Sequence, residues 1–122
     1  MEQKEIEKYL EKLGFNRHGI ELMIDALEIY RPGIPMKKLY QSIANRRSVS
    51  SGLVSIHLRE AILFAWGKKT ENMKKLFPLY DISRPPKNKT IIVILGKTTV
   101  ILGKTIDTQE REKYEQSEKS AL

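Results

Sequence analysis

Residues 39–66 read LYQSIANRRSVSSGLVSIHLREAILFAW and decide the fold of this 122-residue chain. Apolar residues recur there at helical spacing on both sides of a polar centre. The first stripe is Leu39, Tyr40, Ile43 and Ala44, and the second is Val54, Leu58, Ala61, Ile62 and Ala65. Residues 45–51 between them are polar, cationic and rich in side chains that cap helices. The stretch therefore predicts a helix, a short turn and a longer helix, the parts of a helix-turn-helix.

The flanking sequence predicts more helices, and so a small all-α bundle that contains the helix-turn-helix. Apolar stripes predict one helix over residues 2–13 and another that Asn16 caps and that runs to about Tyr30. Pro35 suits the first turn of the helix that leads into the central stretch. Thr70 can cap a short fifth helix, which Pro78 ends.

The last third of the chain leaves two structures open. The six residues VILGKT occur at 93–98 and again at 100–105. So short a β-branched run can form a β-hairpin or an extra helix, which periodicity alone does not decide. We expect three segments: a helix-turn-helix DNA-binding-like domain over 1–89, a strand or helix over 90–106, and a flexible tail over 107–122.

Charge is concentrated in the middle of the chain. The net charge is +7, yet residues 31–89 hold thirteen Lys and Arg against three Asp and Glu, whereas residues 1–30 hold four against seven. A cationic segment between acidic ends suggests an anionic partner, most often nucleic acid. A solvated basic surface is the alternative interpretation. The acidic face of the second predicted helix, Glu21, Asp25 and Glu28, is expected to point away from nucleic acid.

Several classes of protein are disfavoured by what the sequence lacks. Without cysteine there can be no disulfide and no thiolate zinc site. The first residues are charged rather than apolar, so we expect no signal peptide. The longest apolar run, residues 91–95, is too short to cross a bilayer. We therefore expect a cytoplasmic protein with no membrane partner.

Catalytic and cofactor sites are not expected either. Each GKT triplet lacks the glycine that a P-loop needs five residues before its second glycine, because Ile91 and Thr98 stand there. His18 and His57 are the only histidines, and neither has a ligand partner at metal-binding spacing along the chain. No Ser/His/Asp arrangement has local support. The sequence predicts no enzyme, no metal ligand and no cofactor.

The predicted site lies at the turn and the helix that follows it. In a helix-turn-helix the N-terminal residues of the second helix meet base edges in the major groove of double-stranded DNA. The residues predicted to approach bases are Ser51, Ser55, Ile56 and Arg59. The residues predicted to contact phosphates are Arg46, Arg47, Ser48 and Ser50, with Lys68, Lys69, Lys87 and Lys89 at the flanks.

The central stretch also resembles a known family, the C-terminal DNA-binding effector domain of the stage zero sporulation protein A response regulators of endospore-forming bacteria. The resemblance is ungapped from Leu39 to Trp66 and covers roughly residues 5–90. The matching positions are Ile6, Leu10, Gly14, His18, Gly19 and Leu27 upstream, then Leu39, Tyr40, Ile43, Ala44, Val54, Arg59, Ala61, Ile62, Ala65 and Trp66. It implies an all-helical fold with a helix-turn-helix and a role as a sequence-specific transcription regulator in sporulation.

Two departures from that family limit what the resemblance implies. We expect this protein to lack the receiver domain that precedes this module in the family. Where the family has Ser-Arg-Val-Glu-Arg, this chain has the sequence Gly-Leu-Val-Ser-Ile at 52–56. Arginine and glutamate discriminate guanine and cytosine by about 1–3 kcal/mol each, so the base specificity must differ.

Two functions therefore remain open. The first is a DNA-binding regulator with altered specificity, which a homodimer would strengthen if the segment after Lys89 pairs through strand edges. The second is a protein-interaction module, or an antagonist, that contacts its partner through Leu53, Ile56 and Leu63. Trp66 is expected to be a core residue in either case.

Overall fold

The computed structural model describes residues 3–80 and 83–99, which form an all-α bundle. Five helices are α1 (Gln3–Leu13), α2 (Arg17–Ile29), α3 (Met36–Arg47), α4 (Ser51–Gly67) and α5 (Glu71–Leu76). Residues 88–99 form a sixth helix, here called α6. No strand occurs in the part of the chain that the structure describes. The predicted all-α fold is confirmed.

Short polar side chains start three of the helices, two of them at the caps that the sequence predicts, Asn16 and Thr70. The Asn16 side chain accepts a hydrogen bond from the Gly19 N–H at 2.8 Å at the start of α2. Ser50 and Thr70 accept in the same way at the starts of α4 and α5. Each of these bonds satisfies a backbone donor that the helix itself cannot pair. Local chemistry therefore sets where these helices begin.

The core is built around α4, which packs against both α2 and α3. Its inward stripe is Val54, Leu58, Ala61, Ile62 and Ala65, all buried. Leu39 and Ile43 of α3 are fully buried on the facing side. Trp66 is also buried, and its ring meets Phe77 edge to face at 5.7 Å between centroids. This confirms that Trp66 packs in the core.

Helix α6 packs against the same core. Its presence decides between the strand and the helix expected for residues 90–99. Ile91, Ile92 and Leu95 are buried among the residues of the other helices. The β-hairpin alternative is wrong for these residues, because a helix places all three apolar side chains on one face. The helix begins at residue 88, before the expected segment boundary at 89, and the strand-edge argument for a homodimer does not apply to it. The second VILGKT copy and the tail over 107–122 lie outside the described residues.

Two glycines allow close contacts between helices. Gly14 has φ +109° after α1, and a Cβ there would lie 2.9 Å from the Ala65 carbonyl oxygen. Gly96 of α6 lies against the Tyr30 ring, where a Cβ would come within 2.5 Å of a ring carbon. Gly96 belongs to the first GKT triplet, which is helical and packed rather than looped.

None of the helices in residues 3–80 and 83–99 has the length and apolar character needed to cross a bilayer.

Candidate nucleic-acid interface

A three-residue connection joins α3 to α4. Ser48 takes the left-handed conformation (φ 55°), which turns the chain sharply, and its N–H donates to the Ala44 carbonyl at the end of α3. Ser50 then caps α4 through the Leu53 N–H. Ser48 and Ser50 are exposed, Ser51 is half-buried, and a Cβ on Gly52 would meet nothing within 4 Å. The start of α4 is therefore open to solvent, as a reading surface requires.

The two arginines that precede this turn are held by the acidic face of α2. Arg46 Nη1 donates to Glu28 Oε2 at 2.7 Å and to Asp25 Oδ1 at 3.3 Å. Arg47 Nε donates to Asp25 Oδ2 at 2.7 Å. The hydrogen bond to Glu28 raises the pKa of the Arg46 guanidinium, and Asp25 adds to the effect. Both guanidinium groups are already neutralised by carboxylates.

This pairing differs from the expected layout, in which the acidic face lies away from the phosphate contacts. Asp25 and Glu28 occupy the donors that were predicted to reach phosphates. Arg46 keeps almost half of its side chain exposed, and a guanidinium has five N–H donors, so some of them remain open to a ligand. A phosphate at this place must nevertheless compete with two carboxylates.

The predicted base-reading side of α4 is partly covered by the chain that leads into α6. Arg59 Nη1 donates to the Pro86 carbonyl at 2.6 Å. Asn88 Nδ2 donates to the Ser55 carbonyl at 3.2 Å and to the Tyr40 hydroxyl at 3.3 Å. The buried Asn88 Oδ1 has no hydrogen-bond partner among the described residues, an unmet acceptor that weakens this contact. Ser55 and Arg59 are therefore half-buried rather than free.

The same contacts border a shallow, open cationic depression on the surface, here called the groove. It opens between α3, α4 and the start of α6, and it is lined by Tyr40, Ser55, Arg59, Lys87, Asn88 and Lys89. Lys87 and Lys89 are exposed, and neither has an acidic partner within the described part of the chain. Four residues of the predicted site, Ser55, Arg59, Lys87 and Lys89, thus meet in one place.

The other predicted residues do not join this groove. Lys68 and Lys69 follow the end of α4 at Gly67, which lies about 12 Å along the helix axis from Arg59. They are exposed, and Lys68 Nζ lies 4.7 Å from the centroid of the Phe64 ring. They could serve only a flanking contact.

An apolar strip runs along the outer face of α4. Leu53, Ile56 and Leu63 are 38%, 56% and 44% exposed, and Phe64 is 46% exposed. At 100° per residue the four share one helix face, but the exposed Glu60 lies on that face between them, so the strip consists of one pair at 53 and 56 and another at 63 and 64. Ile56, predicted to approach bases, belongs to this strip and is the most exposed of the four. The face predicted for a protein partner is therefore present at the surface.

Sequence reasoning missed Tyr40 and Asn88 as parts of the site. The central apolar stripe assigned Tyr40 to the core, although its hydroxyl reaches the groove. Nothing local marked Asn88, because its contacts reach 33 and 48 residues back along the chain. Comparison of the chain with protein-family models, curated proteins and solved structures gives no match.

Proposed function

We propose that this protein binds double-stranded DNA and acts as a transcription regulator, with α3, the three-residue turn and α4 as a helix-turn-helix. The observation that carries the proposal is the groove that combines Arg59, Lys87 and Lys89 beside the open start of α4. Two lysines without an acidic partner among residues 3–80 and 83–99, and a third cation beside an open helix start, suit the spaced phosphates of a duplex. The resemblance of residues 39–66 to the sporulation effector domain supports the same interpretation.

Affinity in this proposal comes mainly from phosphates. Lys87 and Lys89 neutralise backbone charge, and the Tyr40 hydroxyl can add a neutral hydrogen bond. The exposed start of α4 offers Ser51, Gly52, Leu53 and Ile56 to bases, and the two apolar side chains can contact a thymine methyl group but cannot hydrogen-bond. We therefore expect weak base discrimination by α4 and a strong dependence on salt concentration.

The test measures binding of a mixed-sequence duplex of about 20 base pairs by fluorescence anisotropy across a range of salt concentrations. Each phosphate contact contributes about −0.9 to the log–log slope. Replacing Lys87 and Lys89 with Ala together should make the slope shallower by about 1.8 and weaken binding to all sequences alike.

A matched control keeps the same change in net charge. Lys74 and Lys75 are exposed on α5, and Lys74 is paired with Glu71. Lys74→Ala with Lys75→Ala should leave the slope unchanged. The DNA proposal fails if the wild-type chain shows no salt-sensitive binding, or if both double variants lose affinity equally.

A second candidate function, protein interaction, is favoured by the apolar strip on α4. Contiguous apolar patches on a protein surface often mark interaction sites, and each end of this strip brings two large exposed apolar side chains together. A second copy of the chain is one partner that can be tested directly. If the strip forms a homodimer, sedimentation should give a mass that rises with concentration for the wild type but not for Ile56→Lys. If the chain is a monomer at all concentrations, the homodimer is excluded, and any partner of the strip must be a different protein.

A further inference from the structure

The only two histidines of the chain meet at the surface, although 38 residues separate them along the sequence. His18 lies in the first turn of α2, and His57 lies in the middle of α4. Their ring centroids are 5.9 Å apart, with 74° between the ring planes. His18 is exposed and His57 is half-buried, so solvent reaches the pair. The groove does not use either of them.

The helices that carry the pair are held close together. A Cβ on Gly19, the residue after His18, would lie 3.2 Å from the Ala61 Cβ, one turn beyond His57 on α4. The Asn16 cap fixes the first turn of α2 next to this contact. Both imidazoles therefore stand on ordered backbone, and bringing them together costs little further entropy.

We propose that His18 and His57 form a binding site for a divalent transition metal ion of the Zn²⁺ class. Imidazole nitrogens bind Zn²⁺ at about 2.0–2.1 Å, which puts each ring centroid about 3.2 Å from the ion. A tetrahedral angle at the ion then separates the two centroids by about 5.2 Å. The observed centroid distance of 5.9 Å is within 1 Å of this value, so binding would draw the rings about 0.7 Å closer and turn one nitrogen of each toward the ion.

The site supplies two protein ligands. Within the described residues, no three His, Asp or Glu side chains lie close enough together to hold a metal ion. The remaining positions on the ion would be taken by water, as in sites that stay open to exchange. The ion would link the start of α2 to the middle of α4.

The experiment titrates the full chain with Zn²⁺ by calorimetry, with Mg²⁺ as the negative control because it prefers oxygen ligands. The wild type should bind one Zn²⁺ saturably and show no response to Mg²⁺. His18→Gln and His57→Gln should each weaken Zn²⁺ binding about 100-fold, because a chelate of two linked ligands loses its effective concentration when one is removed. Glu71→Gln, which removes an exposed carboxylate from α5, should leave Zn²⁺ binding unchanged.

A second measurement on the wild type does not depend on how the variants fold. In ¹⁵N NMR spectra, the imidazole nitrogen signals of both histidines should shift together as Zn²⁺ is added. The proposal is overturned if the wild type binds no Zn²⁺, if either glutamine variant binds Zn²⁺ as tightly as the wild type, or if only one histidine responds.

Discussion

The arginine pair before the turn and the groove beside α4 are both cationic, yet their charges are arranged differently. Arg46 and Arg47 hydrogen-bond to carboxylates of α2 at distances down to 2.7 Å. Lys87 and Lys89 have no acidic partner within the described residues. Because a paired cation must exchange a carboxylate for a phosphate, it contributes less to DNA affinity than an unpaired one. A count of charges along the sequence therefore overestimates the contribution expected of Arg46 and Arg47 to DNA affinity, and it underestimates the contribution expected of the groove.

The largest expected effect is a loss of folding stability, which would disrupt both the arginine pair and the groove. Trp66→Ala should lower the free energy of unfolding by about 3–5 kcal/mol, because the buried ring packs against Phe77 and anchors the end of α4. Urea denaturation measures this loss. Leu63→Ala, on the exposed face of the same helix, should stay within about 0.5 kcal/mol of the wild type. Equal losses of stability in the two variants would contradict the assignment of Trp66 to the buried face of α4 and Leu63 to its exposed face.

The next effect separates the groove from the arginine pair. Gly96→Ala places a Cβ about where the Tyr30 ring lies, so α6 must shift and unfolding should become easier by about 1–3 kcal/mol. DNA affinity should fall with it, because α6 carries Lys89 and positions Lys87. Gly67→Ala, where a Cβ meets nothing within 4 Å, is the matched control and should be neutral or slightly stabilising. If DNA binding is unchanged in Gly96→Ala, the groove is not the surface that binds DNA.

The sequence predicted the helices well where local signals set them. The caps at Asn16 and Thr70 and the stripe from Val54 to Ala65 are local features, and each is confirmed. Helix α6 was not decided, because its run of β-branched residues fits a strand equally well. Its helical form agrees with contacts far along the chain, such as that of Gly96 with Tyr30.

The sequence named four of the residues that line the candidate groove, but it did not predict how they are arranged. Ser55, Arg59, Lys87 and Lys89 were all expected, and the structure brings them into one groove. The bond that assembles it joins Arg59 to Pro86, 27 residues later, and no pattern within either helix signals it. The ion pair between Arg47 and Asp25 spans 22 residues, and no local sequence pattern predicts it either. Periodicity predicts on which face of its helix a residue lies. It does not predict which residue of another helix contacts that face.

Neutralising the carboxylates should convert the arginine pair into a second phosphate site. Asp25→Asn with Glu28→Gln keeps side-chain size and removes the competing charge. Duplex affinity should rise about tenfold, and the salt slope should steepen by up to about 1.8 as two arginines become available. Glu5→Gln with Glu11→Gln removes two exposed charges from α1 and controls for the overall change in net charge. Equal gains in the two double variants would mean that net charge alone acts.

The smallest effect is expected for Arg46→Ala in the wild-type background. Since its guanidinium already binds Glu28 and Asp25, its loss should change duplex affinity by less than about threefold. The same substitution in the Asp25→Asn, Glu28→Gln chain should reverse much of the tenfold gain. The difference between the two backgrounds measures the coupling between the arginine and the carboxylates. A tenfold loss from Arg46→Ala alone would mean that the arginine reaches DNA in spite of its acidic partners, and the contrast between the two cationic regions would then disappear.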